Sequence, residues 1–291
     1  ADLSLNTSRE LLQHDRHLKL IAGALEKKIK NELASMMKNK REQYETFFQA
    51  FGLQLKYGAY MDYGMHKELL QDLLLYHAAN TDKMISLEEY VAQMPEDQKY
   101  IYYACGETQA KIKLLPQMER LHEKGYEVLC LTDSIDEFCM KIMREYKGKE
   151  FKSISDDDLD LQTQDEKDEI ETLTREYQSV LDDMKQALGE KVTAVQFTSR
   201  LKSHPCCLTT KGMVSLEMEK VLNQQPGQEK VRAERILELN ASHPIFEKLK
   251  TADADKLAKY AEVLYAQAQL IEGLTIEDPV AYANTVCELL V

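Results

Sequence analysis

Three acidic side chains follow a short apolar run near the middle of the chain. Asp133, Asp136 and Glu137 come directly after residues 127–131, which read as a strand. Carboxylates at the carboxyl end of a strand stand where α/β sheets place catalytic groups, and with a metal they could serve a hydrolase or a phosphotransferase. The alternative is the start of a helix, with Asp133 as its cap and the other two acids in its first turn. The helix start is favoured, because neither a glycine-rich phosphate loop nor a partnering lysine motif accompanies the acids.

A metal ion could be held by the thiols of Cys206 and Cys207 together with the imidazole of His204. Such a site needs a second ligand pair at a characteristic spacing, and the sequence has none. The six cysteines are scattered along the chain at positions 105, 130, 139, 206, 207 and 287. This usage is typical of reduced, buried thiols in a cytosol. The sequence therefore predicts a cytoplasmic protein without a bound metal.

Length and composition limit the class of protein. A chain of 291 residues has room for two domains with a core each, and an apolar content of 44 % is typical of a globular protein. The net charge of −13, from 37 basic and 50 acidic residues, disfavours nucleic acid as a partner, because phosphate binding needs a basic surface. No apolar run approaches the roughly 20 residues that a membrane span requires.

The region before the acidic cluster has mainly helical periodicity. Apolar stripes at helical spacing predict helices over residues 1–95, with Gly52 ending the second helix and residues 69–75 forming a third. Ser86 and Glu89 stand three residues apart and predict a capping box at the start of a short helix. We expect this helical segment to lead directly into a small α/β unit.

The α/β unit is predicted by two apolar runs, residues 100–105 and 127–131, with a helical pattern between them. Such an order predicts a βαβ unit with parallel strands. Pro116 falls between the two runs and is expected to open the connecting helix at its first position.

A run of acids from Asp156 onward marks a change in composition, because like charges repel and favour an extended, hydrated segment. We therefore expect domains at residues 1–155 and 156–291. The second domain mixes strands and helices without strict alternation, which is typical of an α+β fold, and ends in helices at 254–272 and 279–290. Its expected strands are residues 192–197, 206–209 and 235–239. The fold class predicted for the whole chain is α+β and mostly helical.

Motifs in three parts of the chain resemble one known family. The first is Leu5-Asn6-x-Ser8-Arg9-Glu10-x-Leu12-Gln13. The second group is Ile101-Tyr102-Tyr103-x-x-Gly106-Glu107, Gly125-Tyr126-Glu127-Val128-Leu129 and Thr132-Asp133-x-Ile135-Asp136-Glu137-Phe138. The third is Ile236-Leu237-Glu238-Leu239-Asn240-x-x-His243-Pro244. In this order they resemble the ninety-kilodalton heat-shock chaperone family, bacterial HtpG branch. The resemblance covers nearly the whole chain and implies the rear part of the middle domain followed by the C-terminal dimerisation domain of a longer protein.

The resemblance gives Arg9 a role that its spacing alone does not. A solvated arginine in the first turn of a helix would oppose the helix dipole at a cost of a few tenths of a kcal/mol. In the family, the matching arginine reaches the γ-phosphate of ATP bound in the N-terminal domain, and Gln13 matches a residue that supports this contact. Asn6 belongs to the same loop. The resemblance thus implies no cofactor for this part of the protein alone, and ATP with Mg²⁺ for the full-length protein.

The resemblance also implies partly folded client proteins as partners. The client-contact region of the family maps to Glu137, Phe138 and Lys141 and to a helix carrying Val214, Met218, Val221 and Leu222. By their spacing alone these apolar residues are expected in a core, although methionine also suits adaptable binding surfaces. Phe138 stands where bacterial relatives often carry tryptophan, so the residue type differs although the side chain is still aromatic.

The closing helices carry more apolar surface than is usual for a chain end. Packing inside the domain is one interpretation, and a four-helix bundle with a second copy is the one that the family implies. The expected interface of this homodimer comprises Leu257, Tyr260, Leu264, Ile271, Val280, Ala283, Val286 and Leu290.

Overall fold

The computed structural model describes residues 16–224 and 230–291. Over these residues the chain is a mostly helical α+β fold with one sheet of six strands and one of three. The predicted fold class is therefore confirmed. The larger sheet belongs to the first part of the chain, up to residue 155, and the smaller sheet belongs to the second part, from residue 156 onward.

The first part contains the predicted parallel strand pair at the centre of its sheet. Its helices are α1 (Arg16–Asn39), α2 (Arg41–Gly64), α3 (Lys67–Leu70), α4 (Leu87–Gln93), α5 (Gln109–Ile112), α6 (Met118–Glu123) and α7 (Asp136–Met143). Its strands are β1 (Leu75–Ala78), β2 (Met84–Ser86), β3 (Ile101–Cys105), β4 (Val128–Leu131), β5 (Glu145–Tyr146) and β6 (Lys149–Ser153). The order is β2-β1-β4-β3-β6-β5, and β3 runs parallel to both β4 and β6.

Successive side chains of β3 enter two different layers, because neighbouring residues of a strand point to opposite faces. Tyr103 is buried in a core with Tyr44 of α2 and Met140 of α7. Tyr102 is buried in a second cluster with Ile112 of α5 and Leu121 of α6. The sheet is therefore covered by helices on both faces, and α7 lies on the same face as α2.

The expectation that residues 1–95 are helical throughout is wrong where β1 and β2 occur. The apolar residues 69–75 begin in α3 but end in β1, where Leu74 and Leu75 are fully buried. A short apolar run fits a buried strand as well as a helix, and pairing of His77 with Cys130 of β4 decides between them. The capping box of Ser86 and Glu89 at the start of α4 is confirmed.

Gly52 does not end a helix, because α2 continues through it to Gly64. A Cβ atom at position 52 would lie 2.7 Å from the Phe48 ring, so glycine is needed here to leave room for that ring. The helix instead kinks near its end, where Asp62 and Tyr63 adopt positive φ angles.

Two details of the βαβ unit differ from the prediction. The connection from β3 to β4 contains two short helices, α5 and α6, and Pro116 lies between them. Asp133 does not cap α7. Its backbone N–H instead donates to Asp136 Oδ2 at 3.1 Å, while its own carboxylate is engaged elsewhere.

The second part follows the predicted order of elements. Its helices are α8 (Gln164–Glu176), α9 (Gln178–Leu188), α10 (Leu216–Asn223), α11 (Ile245–Thr251), α12 (Ala254–Ile271) and α13 (Pro279–Leu290). Its strands are β7 (Ala194–Phe197), β8 (Cys206–Lys211) and β9 (Glu234–Leu239), and β9 lies in the middle, parallel to β7 and antiparallel to β8. Among the described helices of both parts, none is long and apolar enough to span a bilayer.

The two parts have separate hydrophobic cores that meet along a polar boundary. Arg200 of the second part donates to the carbonyl oxygens of Ile154 and Asp156 at 3.1 and 3.0 Å and pairs with Glu238 at 2.8 Å. His204 lies 3.0 Å from the carboxylate of Glu119 in the first part. Leu159 and Leu161 still pack in the cluster around Tyr102, and the buried residues of the second core begin at Leu181, so the cores separate after residue 161. The domain limits 1–155 and 156–291 stay a prediction.

Candidate functional site

Two of the three acids that could form a catalytic cluster bind an internal lysine. Lys56 Nζ lies 2.7 Å from Asp133 Oδ2 and 2.7 Å from Asp136 Oδ1, and it stands over the Tyr76 ring at 5.0 Å. Burial raises the pKa of Asp136. Burial alone would lower the pKa of Lys56, but its two carboxylate partners together have the larger effect and raise the pKa of Lys56. The three groups form an ion cluster between α2 and α7, in which Lys56 and Asp136 are buried and Asp133 is exposed.

The third acid, Glu137, is only 2 % exposed. Its carboxylate accepts a hydrogen bond from the Ser215 hydroxyl and lies 3.5 Å from the Tyr103 hydroxyl. Burial raises the pKa of Glu137, and the bond from Ser215 offsets part of that shift. Because Asp136 and Glu137 are buried on internal partners and Asp133 pairs with Lys56, the interpretation as an independent hydrolase or phosphotransferase is not supported.

Ser215 joins the two parts of the chain at this point. It is the residue before α10, and its oxygen accepts the backbone N–H of Met218 at 3.0 Å, which makes it the helix cap. The same hydroxyl donates to Glu137 at the start of α7. One side chain therefore holds the beginning of α10 against the beginning of α7.

The helices α7 and α10 consequently lie next to each other across the boundary. On α7, Phe138 is partly exposed and packs edge-to-face on Tyr60, with ring centres 6.0 Å apart, and Lys141 is also partly exposed. On and just before α10, the partly exposed side chains are Val214, Met218, Val221 and Leu222. The structure thus brings the two predicted halves of the client-contact region together, with Glu137 buried beneath them.

Sequence reasoning missed Ser215, Tyr60 and Lys56. A serine just before an apolar helical stripe is a signal for a helix cap, so Ser215 could have been found as the start of α10. Its bond to Glu137 joins positions 78 apart, and Lys56 bonds to Asp133 across 77 positions. Local patterns contain no information on such distant pairs.

The residues expected at a dimer interface divide into two groups. Leu257 and Leu264 are buried in the core of the second part, so we expect them to support an interface from within, and their place at the interface stays a prediction. The remaining residues are partly or fully exposed: Tyr260, Ile271, Val280, Ala283, Val286 and Leu290. Every residue of α13 is at least partly exposed, including Val280 at 70 % and Leu290 at 80 %.

Other predicted site residues can be placed only in part. Asn6, Arg9 and Gln13 lie outside the described residues, and their roles stay predictions. All six cysteines fall within the described ranges and are free thiols. Within residues 16–224 and 230–291, no three His, Cys, Asp or Glu side chains stand close enough together to hold a metal ion.

Two parts with a polar boundary, and two amphipathic helices side by side across it, define a mostly helical α+β protein. The sequence profile of the family described as Hsp90 protein matches residues 1–291, and the chain belongs to that family.

Bacterial relatives agree with this assignment. The chain is 53 % identical over 292 residues to the chaperone protein HtpG of Clostridium acetobutylicum, covering 99 % of this chain and 46 % of the relative. It is 50 % identical over 293 residues to HtpG of Alkaliphilus oremlandii and 49 % identical over 293 residues to HtpG of Bacillus subtilis. Both of these matches cover 100 % of this chain and 47 % of the relative, so the chain spans about half the length of these curated relatives.

Proposed function

We propose that the chain is part of a molecular chaperone that binds partly folded proteins. The client surface comprises Phe138, Lys141, Val214, Met218, Val221 and Leu222. Glu137, which was expected to contact the client as well, is 2 % exposed and lies beneath this surface. The single observation that supports it most is the placement of α7 and α10 side by side, each with partly exposed apolar side chains, across a boundary of two separate cores.

The chemistry of this surface suits many unrelated ligands. Methionine and valine provide apolar area that adapts to different shapes, and the aromatic ring of Phe138 adds a larger contact. Glu217 beside Met218 keeps the surface hydrated. Such a surface binds weakly, because an unfolded ligand loses conformational entropy when it becomes ordered.

The experiment is a double substitution, Phe138→Ala with Met218→Ser. We expect weaker binding of a permanently unfolded model protein, with the fold and the oligomeric state unchanged. Leu114→Ala is the matched control, because Leu114 is a 76 % exposed apolar residue in the connection between α5 and α6. A large fall in melting temperature with unchanged affinity would mean that both residues belong to the core.

We propose further that the chain forms a homodimer through the exposed side chains of α12 and α13. Tyr260, Ile271, Val280, Ala283, Val286 and Leu290 remain its interface residues, and Leu257 and Leu264 support them from the core. The exposed apolar positions on α13 support this assignment, because a second pair of helices would bury them in a four-helix bundle.

In the full-length protein, we propose that Arg9 and Gln13 contact ATP held by another domain in the presence of Mg²⁺. A guanidinium group is suited to this role because it binds phosphate oxygens through paired hydrogen bonds. We propose a cytoplasmic location, which the free thiols support.

A further inference from the structure

The strongest unexplained feature of the client surface is the buried carboxylate directly beneath it. Glu137 is the second residue of α7, is 2 % exposed, and accepts from a hydroxyl that is itself 6 % exposed. A buried carboxylate is unfavourable unless it is hydrogen-bonded. If position 137 served only packing, an apolar side chain would be more favourable there than a carboxylate. The hydrogen bond between Glu137 and Ser215 therefore requires an explanation.

The geometry of Ser215 provides one. A serine hydroxyl has a single proton to donate, and here it donates to Glu137. Its oxygen is then oriented to accept the Met218 N–H at 3.0 Å, which is one of the free amide groups at the start of α10. Glu137 therefore sets the orientation of the hydroxyl that caps the neighbouring helix. Its negative charge near the beginning of α10 also stabilises that helix, because it faces the positive end of the helix dipole.

The contacts of Glu137 exclude it from a direct role at the surface. Its two oxygens face Ser215 and Tyr103, both in the interior, whereas Phe138, its neighbour in sequence, is partly exposed and packs on Tyr60. Lys141, one turn further along α7, is also partly exposed. The first turn of α7 thus places one side chain inward, toward α10, and the next toward the surface.

We propose that Glu137 is a positioning residue that holds α10 against α7 through Ser215, so that Phe138 and Met218 form one continuous surface. This inference rests on the proposed function, because it concerns how that same client surface is assembled. Glu137 itself does not contact the client protein. Loss of the hydrogen bond between Glu137 and Ser215 would leave the side chains of Phe138 and Met218 in place on their own helices, but α7 and α10 would no longer be held in one relative position.

The test uses the full chain and four variants, Ser215→Ala, Glu137→Ala, their double combination, and Glu137→Gln. The ligand is a reduced and carboxymethylated, permanently unfolded globular protein. Ser215→Ala and Glu137→Ala should each weaken its binding about tenfold, the loss expected for one hydrogen bond to a charged group. The double variant should bind no more weakly than either single variant, because both substitutions remove the same bond. Glu137→Gln keeps an acceptor oxygen and should restore most of the affinity.

A control at another helix cap distinguishes the positioning role of Ser215 from a general contribution to stability. Ser86 caps α4 in the first part through the same kind of bond, from the Glu89 N–H at 3.1 Å, and it bonds to neither α7 nor α10. Ser86→Ala should lower the melting temperature to a similar degree as Ser215→Ala while leaving client affinity unchanged. Hydrogen exchange of the amides at 216–219 should accelerate in Ser215→Ala and in Glu137→Ala, although Glu137 lies 78 positions away.

The outcomes distinguish this inference from the proposed function. If Phe138→Ala weakens client binding but Ser215→Ala and Glu137→Ala do not, the client surface is right and the positioning role is wrong. Additive losses in the double variant would also overturn the positioning role, because they would mean that the two residues act separately. If neither Phe138→Ala nor Met218→Ser changes affinity, the client surface is wrong and the inference is overturned with it.

Discussion

Lys56 Nζ lies 2.7 Å from Asp136 Oδ1, and both side chains are almost completely buried. The lysine comes from the middle of α2 and the aspartate from the start of α7. A charge pair in this position fixes the two helices in one relative arrangement, and α7 is the helix that carries Phe138 and Glu137.

Lys56→Met should destabilise the chain by about 3 to 5 kcal/mol, because removal of the lysine leaves the Asp136 carboxylate buried without its cation. Urea denaturation at neutral pH measures this difference in the free energy of unfolding. Lys111→Met is the matched control, since Lys111 pairs with Glu107 in an exposed ion pair and such pairs contribute about 0 to 1 kcal/mol. Equal effects of the two substitutions would contradict a structural role for the buried cluster.

We expect the stability of the chain to depend on pH through Glu272. Burial is the main cause that raises the pKa of this carboxyl group to about 7. The hydrogen bond that it accepts from Gln117 at 2.7 Å acts in the opposite direction and lowers the pKa. A raised acid pKa means that its stabilising contribution is complete below the unfolded pKa of about 4.3 and is lost as the pH rises through about 7.

Glu272→Gln removes this titration and keeps an acceptor for Gln117. The parent loses stability as the pH rises from 5 to 8, and the variant does not. The difference in the free energy of unfolding between variant and parent should therefore shift in favour of the variant by up to about 3 kcal/mol from pH 5 to pH 8. Urea denaturation at both pH values measures the gain. A difference between the two proteins that is the same at pH 5 and pH 8 would show that Glu272 does not titrate in this range.

Local sequence patterns predicted the elements that local rules determine. The capping box at Ser86, the parallel pair of β3 and β4, and the two closing helices follow from spacing, β-propensity and a proline in the first helical turn. The same patterns did not distinguish a helix from a buried strand at β1, because Leu74 and Leu75 are fully buried in either case.

The candidate site was predicted less completely than the fold. The sequence brought Phe138 and Met218 together only through the family resemblance, since no local rule relates residues of different domains. Burial also depends on distant partners: Glu137 is interior because Ser215 packs on it, and Leu257 is interior because the second sheet lies beneath α12.

Truncation after Glu272 removes α13 and should convert the proposed homodimer into a monomer. The physical reason is the loss of exposed apolar side chains such as Val280 and Leu290, which a second copy would cover. Light scattering coupled to size exclusion measures the mass. Leu257→Ala is the control, because truncation of this core residue should cost about 2 to 5 kcal/mol of stability and leave the dimer intact. A dimer that survives truncation would place the interface elsewhere.

Arg9→Ala in a full-length protein should slow ATP hydrolysis by roughly 10- to 1000-fold, because in the proposed role the guanidinium would stabilise charge mainly in the transition state. Nucleotide affinity should be nearly unchanged. Steady-state hydrolysis and equilibrium nucleotide binding measure the two quantities on the same protein. Full hydrolytic activity in the variant would exclude a catalytic contact by Arg9.

Site-specific photocrosslinking tests the client surface most directly. A photoreactive phenylalanine derivative is placed at position 138, 218 or 114 in separate proteins, each mixed with an unfolded model protein and irradiated. We expect cross-links from positions 138 and 218, suppressed by excess unlabelled client, and none above background from 114, an exposed apolar position away from α7 and α10. Equal cross-linking from position 114, or none from 138 and 218, would contradict a client surface formed by these two helices.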